Sequence, residues 1–250
     1  MQTMPFSVVI ITLNAARQLE ACLQSAAFAD EIIVVDSGSS DATAEIALKY
    51  GARVIVQPWL GFGRQKQFAV SQARNDWVLC LDADERVSDG LRESILDTLQ
   101  QPRFTAYKMA RSNCFMGRYL RHGEGYPDMS LRLFERHHAR WSDDAVHEKV
   151  LHDEAVGTLH GDLLHESAES LPAYLDKQNR YTTLQAQTMY RAGHRAGLGR
   201  LLLSPLVRFI RFYFLRLGCL DGVPGLVHIL IGCNNSFVKY AKLMALQREK

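Results

Sequence analysis

No two of the five cysteines are spaced as CxxC; Cys22, Cys80, Cys114, Cys219 and Cys233 stand scattered, mostly in apolar runs. An odd count of this kind argues against a disulfide framework and predicts reduced, buried thiols in a cytosolic protein. A basic leader is lacking too, because Met1 to Ser7 runs straight into an apolar strand, so no signal peptide is expected. No uninterrupted apolar run reaches the ~18 residues that a membrane-spanning helix needs. These absences predict a cytoplasmic location, peripheral on the inner face of the cytoplasmic membrane. Internal repeats and low-complexity tracts are missing as well. A net charge of +2 over 250 residues selects no partner. One local absence is sharper: from Arg191 to Leu217 there are six arginines and no Asp or Glu. That asymmetry predicts an anionic partner surface near the carboxyl terminus, a membrane rather than nucleic acid.

What is present is an ordinary globular composition, 47% hydrophobic and 22% charged, enough for a real core. Apolar runs at 7–13, 31–36, 53–56 and 77–81 read as strands. Helical stretches up to about residue 27, from residue 40 or 41 to Tyr50, and at 64–74 lie between them. This alternation predicts an α/β protein with a Rossmann-like, mostly parallel sheet flanked by helices. A helix at 89–100 is followed by short β-like segments over 104–166. The last third is helical, at about 170–192, 206–217 and 224–246, with Gly193, Gly197 and Gly199 marking a loop. The expected organisation is one domain over 1–168 and a helical extension over 169–250.

The strand at 77–81 runs directly into Asp82, Asp84 and Glu85. Acids at the carboxyl end of such a strand stand in the crevice where open α/β sheets bind ligands. Two aspartates one residue apart suit a hard divalent cation, Mg²⁺ or Mn²⁺, shared with substrate phosphates. A second acidic turn, Asp36-Ser37-Gly38-Ser39-Ser40-Asp41, also begins at a strand end. Its small residues leave backbone amides available for hydrogen bonding, and its carboxylate suits ribose hydroxyls or a base N–H. With Thr12-Leu13-Asn14 it completes a nucleotide crevice.

These segments, Val8–Asn14, Asp36–Asp41 and Leu81–Glu85, resemble the signatures of the inverting family 2 glycosyltransferases with the GT-A fold. The resemblance covers about residues 6–170. It implies transfer of a sugar from a nucleotide-diphospho-sugar with inversion, Asp36 and Asp82 contacting the nucleoside, and Asp84 holding the metal on the diphosphate. Where members often carry Arg-Asn, this chain reads Lys66-Gln67, which keeps a basic group for phosphate. Gly61-Phe62-Gly63, Arg132-Leu133-Phe134 and Ala145-Val146-His147-Glu148-Lys149-Val150 are similar to a lipopolysaccharide-core subgroup. That similarity implies glucosyl transfer from UDP-glucose to a lipid-linked saccharide of the inner core.

Inverting transfer needs a base on the face of the sugar opposite the metal, hence from a segment later than Asp84. The acids there are Asp128, Asp143, Asp144 and Glu148. Glu148 is the favoured base and Asp144 the alternative. Arg132, alternating with apolar neighbours, can point toward phosphate or acceptor. His147, His152, His160 and His165 fit no tight zinc spacing, although His147 remains a candidate for acceptor or metal. At 206–217, Arg208, Arg211 and Arg216 share half of a helix whose other half is apolar, an arrangement suited to a lipid headgroup boundary. A nucleotidyltransferase is one alternative, but the loop after the first strand reads Thr-Leu-Asn-Ala-Ala-Arg, without its glycines. A non-catalytic, membrane-associated nucleotide-sugar binder is another.

Overall fold

A computed structural model describes residues 3–144, 148–167 and 170–248. The chain forms two compact units, Met1–Ser112 with Asp128–Glu166, and Asn113–Pro127 with Ser167–Lys250.

The first unit is built on β1 (Phe6–Thr12), whose seven residues are all buried. Val8 and Ile10 enter one core cluster, while Val9 and Ile11 enter another on the opposite face. That two-residue alternation into two cores is why the strand reads as uniformly apolar. β1 pairs in parallel with β2 (Glu31–Asp36) and with β4 (Trp77–Asp82), and β2 with β3 (Arg53–Val56). Helices α1 (Leu19–Ala26), α2 (Thr43–Lys49) and α3 (Phe62–Ser71) connect these strands. A short strand β5 (Glu85–Val87) and α4 (Asp89–Gln100) follow, α4 being capped by the Ser88 hydroxyl, which accepts from Leu91 N.

The 104–166 region then extends the sheet with longer strands. β6 (Ala106–Phe115), β8 (Asp128–Glu135) and β11 (Gly157–His165) join it, giving the order β3-β2-β1-β4-β8-β6-β11-β5. β8 runs antiparallel to β4, and β11 antiparallel to β5. β9 (Arg140–Trp141) and β10 (Val150–Leu151) form a separate hairpin-like pair. The fold class is the expected one: a GT-A-type sheet with a parallel half, helices on both faces, and a helical carboxyl-terminal region. Two boundaries differ from the sequence reading. The helix before residue 27 starts only at Leu19, and residues 85–87 pair as a strand, since β11 offers them a partner that no local pattern reveals.

In the second unit a short β7 (Arg118–Tyr119) pairs with the end of β6. The helices are α5 (Leu171–Arg191), α6 (Leu198–Phe209) and α7 (Gly222–Arg248). Gly199 lies inside α6 rather than in the loop. The expected 206–217 helix is in fact the end of α6, a π-helical stretch at Ile210–Leu215 and a turn at Leu217 in the left-handed region (φ 55°). Pro205 inside α6 lacks the N–H that would donate to the Leu201 carbonyl. Arg208 also departs from the expected basic face. It turns inward and pairs with Glu124, because a half-buried guanidinium needs an acid and the 113–127 excursion supplies one. No single helix among the described residues is long and apolar enough to cross a membrane, although Leu198–Leu215 and Gly218–Arg248, bent by 76°, pass together by length and composition.

Candidate active site

Parallel register places Thr12 opposite Asp36 and Ile11 opposite Asp82, so the carboxyl ends of β1, β2 and β4 share one edge. There a cavity of about 580 Å³ opens, lined by Thr12, Asn14, Lys66, Asp82, Asp84 and Glu148 among others. Gln18, Trp59, Phe62 and His165 complete its wall. Trp59 and Phe62 pack edge to face at 4.8 Å and are about half exposed, at 47% and 51%.

Asp36 lies just behind this wall. It is buried and accepts from Thr12 Oγ1 (2.9 Å), Gly38 N (3.1 Å), Ser39 N (2.8 Å) and Ser39 Oγ (2.5 Å). Burial alone would raise its pKa, but the Ser39 hydroxyl and amide, with Thr12 and Gly38, hold it below the ordinary carboxylate range. The turn amides expected to be available are therefore occupied: Asp36 takes those of Gly38 and Ser39, and Asn14 Oδ1 takes that of Ser40 at 2.9 Å. A buried carboxylate draws the nearest donors to itself. Asn14 adopts φ 51° to reach across to this turn. The Ser37 hydroxyl accepts from the buried Gln65 amide at 3.1 Å. Asp41, fully exposed, accepts from Thr43 and from Ala16 N, which ties the start of α2 to the loop after β1. Hydrogen bonds led by the Thr43 hydroxyl keep Asp41 low as well.

The centre of the site is a buried network of alternating charges. Lys66, on α3, places Nζ 3.0 Å from Asp82 and 3.1 Å from Glu148 Oε1, with the Trp141 ring 4.7 Å away. Arg132, on β8, donates to Asp82 Oδ2 (2.9 Å) and to the fully buried Glu85 (2.8 Å). Arg132 does not line the cavity but braces Asp82 from behind. Burial opposes ionisation of Asp82; the charges of Arg132 and then Lys66 outweigh it and drive the carboxyl far below its usual range. Burial pushes Glu85 up, against the pull of Arg132. Asp84 lies apart from this network, with Oδ2 3.3 Å from His165 Nε2. Asp144 is exposed and lies outside the cavity wall. Ala145, Val146 and His147 lie outside the described residues.

Three contributors are absent from the residues singled out as site candidates. Gly63 lets α3 approach Ser142 and Glu148, since a Cβ there would collide with the Ser142 carbonyl. Gln67 accepts from Trp141 N (2.9 Å) and so sets the ring beneath Lys66. His165 comes beside Asp84 because β11 pairs with β5, His165 lying opposite Glu85. The Gly61-Phe62-Gly63 pattern carried a trace of the first; the other two depend on non-local pairing.

A half-parallel sheet with strand-end acids around one crevice defines an α/β enzyme of the GT-A type. The chain belongs to glycosyl transferase family 2, whose sequence profile matches residues 7–159, and it is a glycosyltransferase. It is 31% identical to the lipopolysaccharide core biosynthesis glycosyltransferase LpsC of Rhizobium meliloti, over 96% of this chain and 92% of that one. An uncharacterized glycosyltransferase of Rickettsia typhi is 32% identical over 96% of this chain and 87% of its own. Among solved structures, S. aureus TarS 1–349 in complex with UDP-GlcNAc shares the fold with a TM-score of 0.51 at 15% identity, covering 98% of this chain and 92% of that chain. Glucosyl-3-phosphoglycerate synthase from Mycobacterium tuberculosis in complex with phosphoglyceric acid does so at 0.50 and 16% identity, over 78% and 82%.

Proposed function

We propose that this protein is an inverting glycosyltransferase that moves glucose from UDP-glucose onto a lipid-linked saccharide, in the inner core of lipopolysaccharide. The observation that carries this reading is the common cavity. Asp82 and Asp84 stand at one strand end, and Glu148 lines the same space, bridged to Asp82 by Lys66. The name of the Rhizobium meliloti relative supports the lipopolysaccharide core as the setting.

Family 2 enzymes of this fold commonly use a divalent cation. Among the described residues no three His, Cys, Asp or Glu side chains converge as a closed metal cage. The donor set is one carboxylate, Asp84, with His165 beside it, which fits Mg²⁺ or Mn²⁺ bound mostly by substrate phosphates and water. When bound, such an ion neutralises charge developing on the leaving diphosphate. In this reading Thr12, Asn14 and Asp82 hold the nucleoside. The turn of Asp36, Ser37 and Asp41 acts by fixing the loop that carries Asn14. Lys66 contributes positive charge beside the phosphates, and Arg132 keeps Asp82 ionised and oriented. Glu148 takes the proton from the attacking acceptor hydroxyl, a step worth about 10²–10⁴ in rate. Asp144, exposed, is the alternative base. Trp59 and Phe62 shield the reacting centre from water.

The catalytic part is proposed to be residues 1–168 and the extension 169–250 to rest on an anionic membrane. Support for the latter is the exposed apolar surface of α6 and its π-helical continuation, including Leu202, Leu206, Phe214 and Leu215, interleaved with exposed Arg200, Arg211 and Arg216. The testing experiment is nucleotide release from UDP-, GDP-, ADP- and CMP-sugars, with and without Mn²⁺ or Mg²⁺, with truncated lipopolysaccharide as acceptor. Metal-dependent UDP release from UDP-glucose that rises with acceptor supports the whole reading. Acceptor-stimulated release from a different donor overturns the glucosyl assignment, and no release from any donor overturns catalysis.

A further inference from the structure

The helical unit contains its own cavity, about 150 Å³, between α5, α6 and α7 and the 113–127 excursion. A single water needs only ~10–15 Å³ of such space, so this one has room for a sugar ring. Its lining is unlike the apolar surface of the same helices. Tyr174, Tyr181, Gln185 and Thr182 come from α5, and Asn235, Ser236 and Lys239 from α7. Neutral amides and hydroxyls around aromatic faces are the groups that match a ring of sugar hydroxyls.

The charges are unbalanced in one direction. Arg208 is paired with Glu124 and also reaches Ser236 Oγ at 3.4 Å, so that pair cancels. Lys239 remains: among the described residues it meets no carboxylate and lies over the Tyr240 ring at 4.9 Å. His228 borders the cavity with its buried Nδ1 lacking a hydrogen-bond partner among the described residues, while Nε2 is 3.4 Å from Tyr174 Oη. The floor is built for closeness: a Cβ at Gly232 would collide with Glu124 and crowd Arg208.

We propose that this cavity binds one anionic sugar unit, its hydroxyls met by the amides and hydroxyls of α5 and α7 and its acidic group by Lys239. A bare phosphate fits less well, because only one uncompensated cation faces a wall made mostly of neutral groups. The assignment of this unit to the saccharide acceptor rests on the glycosyl-transfer reading above; the binding chemistry does not.

The test is calorimetric titration of the full chain with glucuronic acid, glucose and inorganic phosphate, with UDP titrated in parallel. Glucuronic acid should bind about tenfold more tightly than glucose or phosphate, one charge pair being worth roughly that factor. Lys239→Gln should abolish this preference while leaving glucose unchanged, and Gln185→Ala should weaken both sugars. Equal binding of glucuronic acid and glucose, phosphate binding as tightly as glucuronic acid, or an unaltered Lys239→Gln would each overturn the proposal. UDP binding without glucuronic acid binding overturns this site and leaves glycosyl transfer standing. Glucuronic acid binding without UDP binding supports this site and removes the donor reading of the larger cavity.

Discussion

Lys66 is held by Asp82, Glu148 and the Trp141 ring at once, so it fixes the separation between the two acids. Replacing Glu148 by Gln keeps the shape and the hydrogen-bonding oxygen but removes the carboxylate proposed as the base. Glu148→Gln is expected to bind UDP within about twofold of wild type while transfer falls by ~10²–10⁴, read by paired calorimetry and nucleotide-release assays. Asp144→Asn should transfer normally in the same assays; the reverse pattern would move the base to Asp144. Asp36 and Asp82 both titrate below their ordinary range. A depressed carboxyl stabilises the fold above its unfolded value, near ~4, and that contribution disappears as pH falls through the folded value. Asp36→Asn should therefore lower the thermal midpoint at pH ~7 and flatten its decline below pH ~4. A parallel decline in both proteins would contradict the assignment. Asp82 and Asp84 are legible in sequence because an apolar run ending in acids is a local pattern. The bracing of Asp82 by Arg132 is not, because it requires β8 to lie antiparallel beside β4.

At the scale of elements, α3 is the part that assembles the site, carrying Lys66 inward on a helix that begins beside the Ser142 carbonyl. Gly63→Ala adds a methyl where the Ser142 carbonyl already stands, so α3 or Ser142 must shift. Overpacking of this kind costs about 1–3 kcal/mol. The expected result is a lower urea midpoint and a fall in kcat larger than the change in donor KM, since the Lys66–Glu148 spacing changes more than the nucleoside wall. A Gly63→Ala enzyme with wild-type kcat would show that this spacing does not set the rate. The strands of the parallel half are legible from apolar runs, and α4 spans the same residues that the sequence predicts, 89–100. The break after Phe209 is less so, because the arginine and apolar periodicity across 206–217 continues through a change of helix type.

For the whole molecule, the exposed leucines and arginines of the second unit predict electrostatic membrane attachment. Neutralising Arg200, Arg211 and Arg216 together to Gln should reduce sedimentation with anionic vesicles by roughly fivefold per residue at low salt, each charge contributing about 1 kcal/mol. Neutral vesicles should show little difference, and an unaltered anionic-vesicle partition would remove arginine charge as the cause. The amino-acid order by itself determined the parallel strands, the acids at their ends and the excess of arginine. Each follows from local periodicity or charge count. Only the tertiary structure decided which of those groups act together. It turned Arg208 inward to Glu124, buried Arg132 behind Asp82, brought His165 to Asp84 and enclosed a second polar cavity among the helices. The three pairs join residues 50, 81 and 84 positions apart, and charge and hydrogen-bond satisfaction in a buried interior select them where no short-range pattern can.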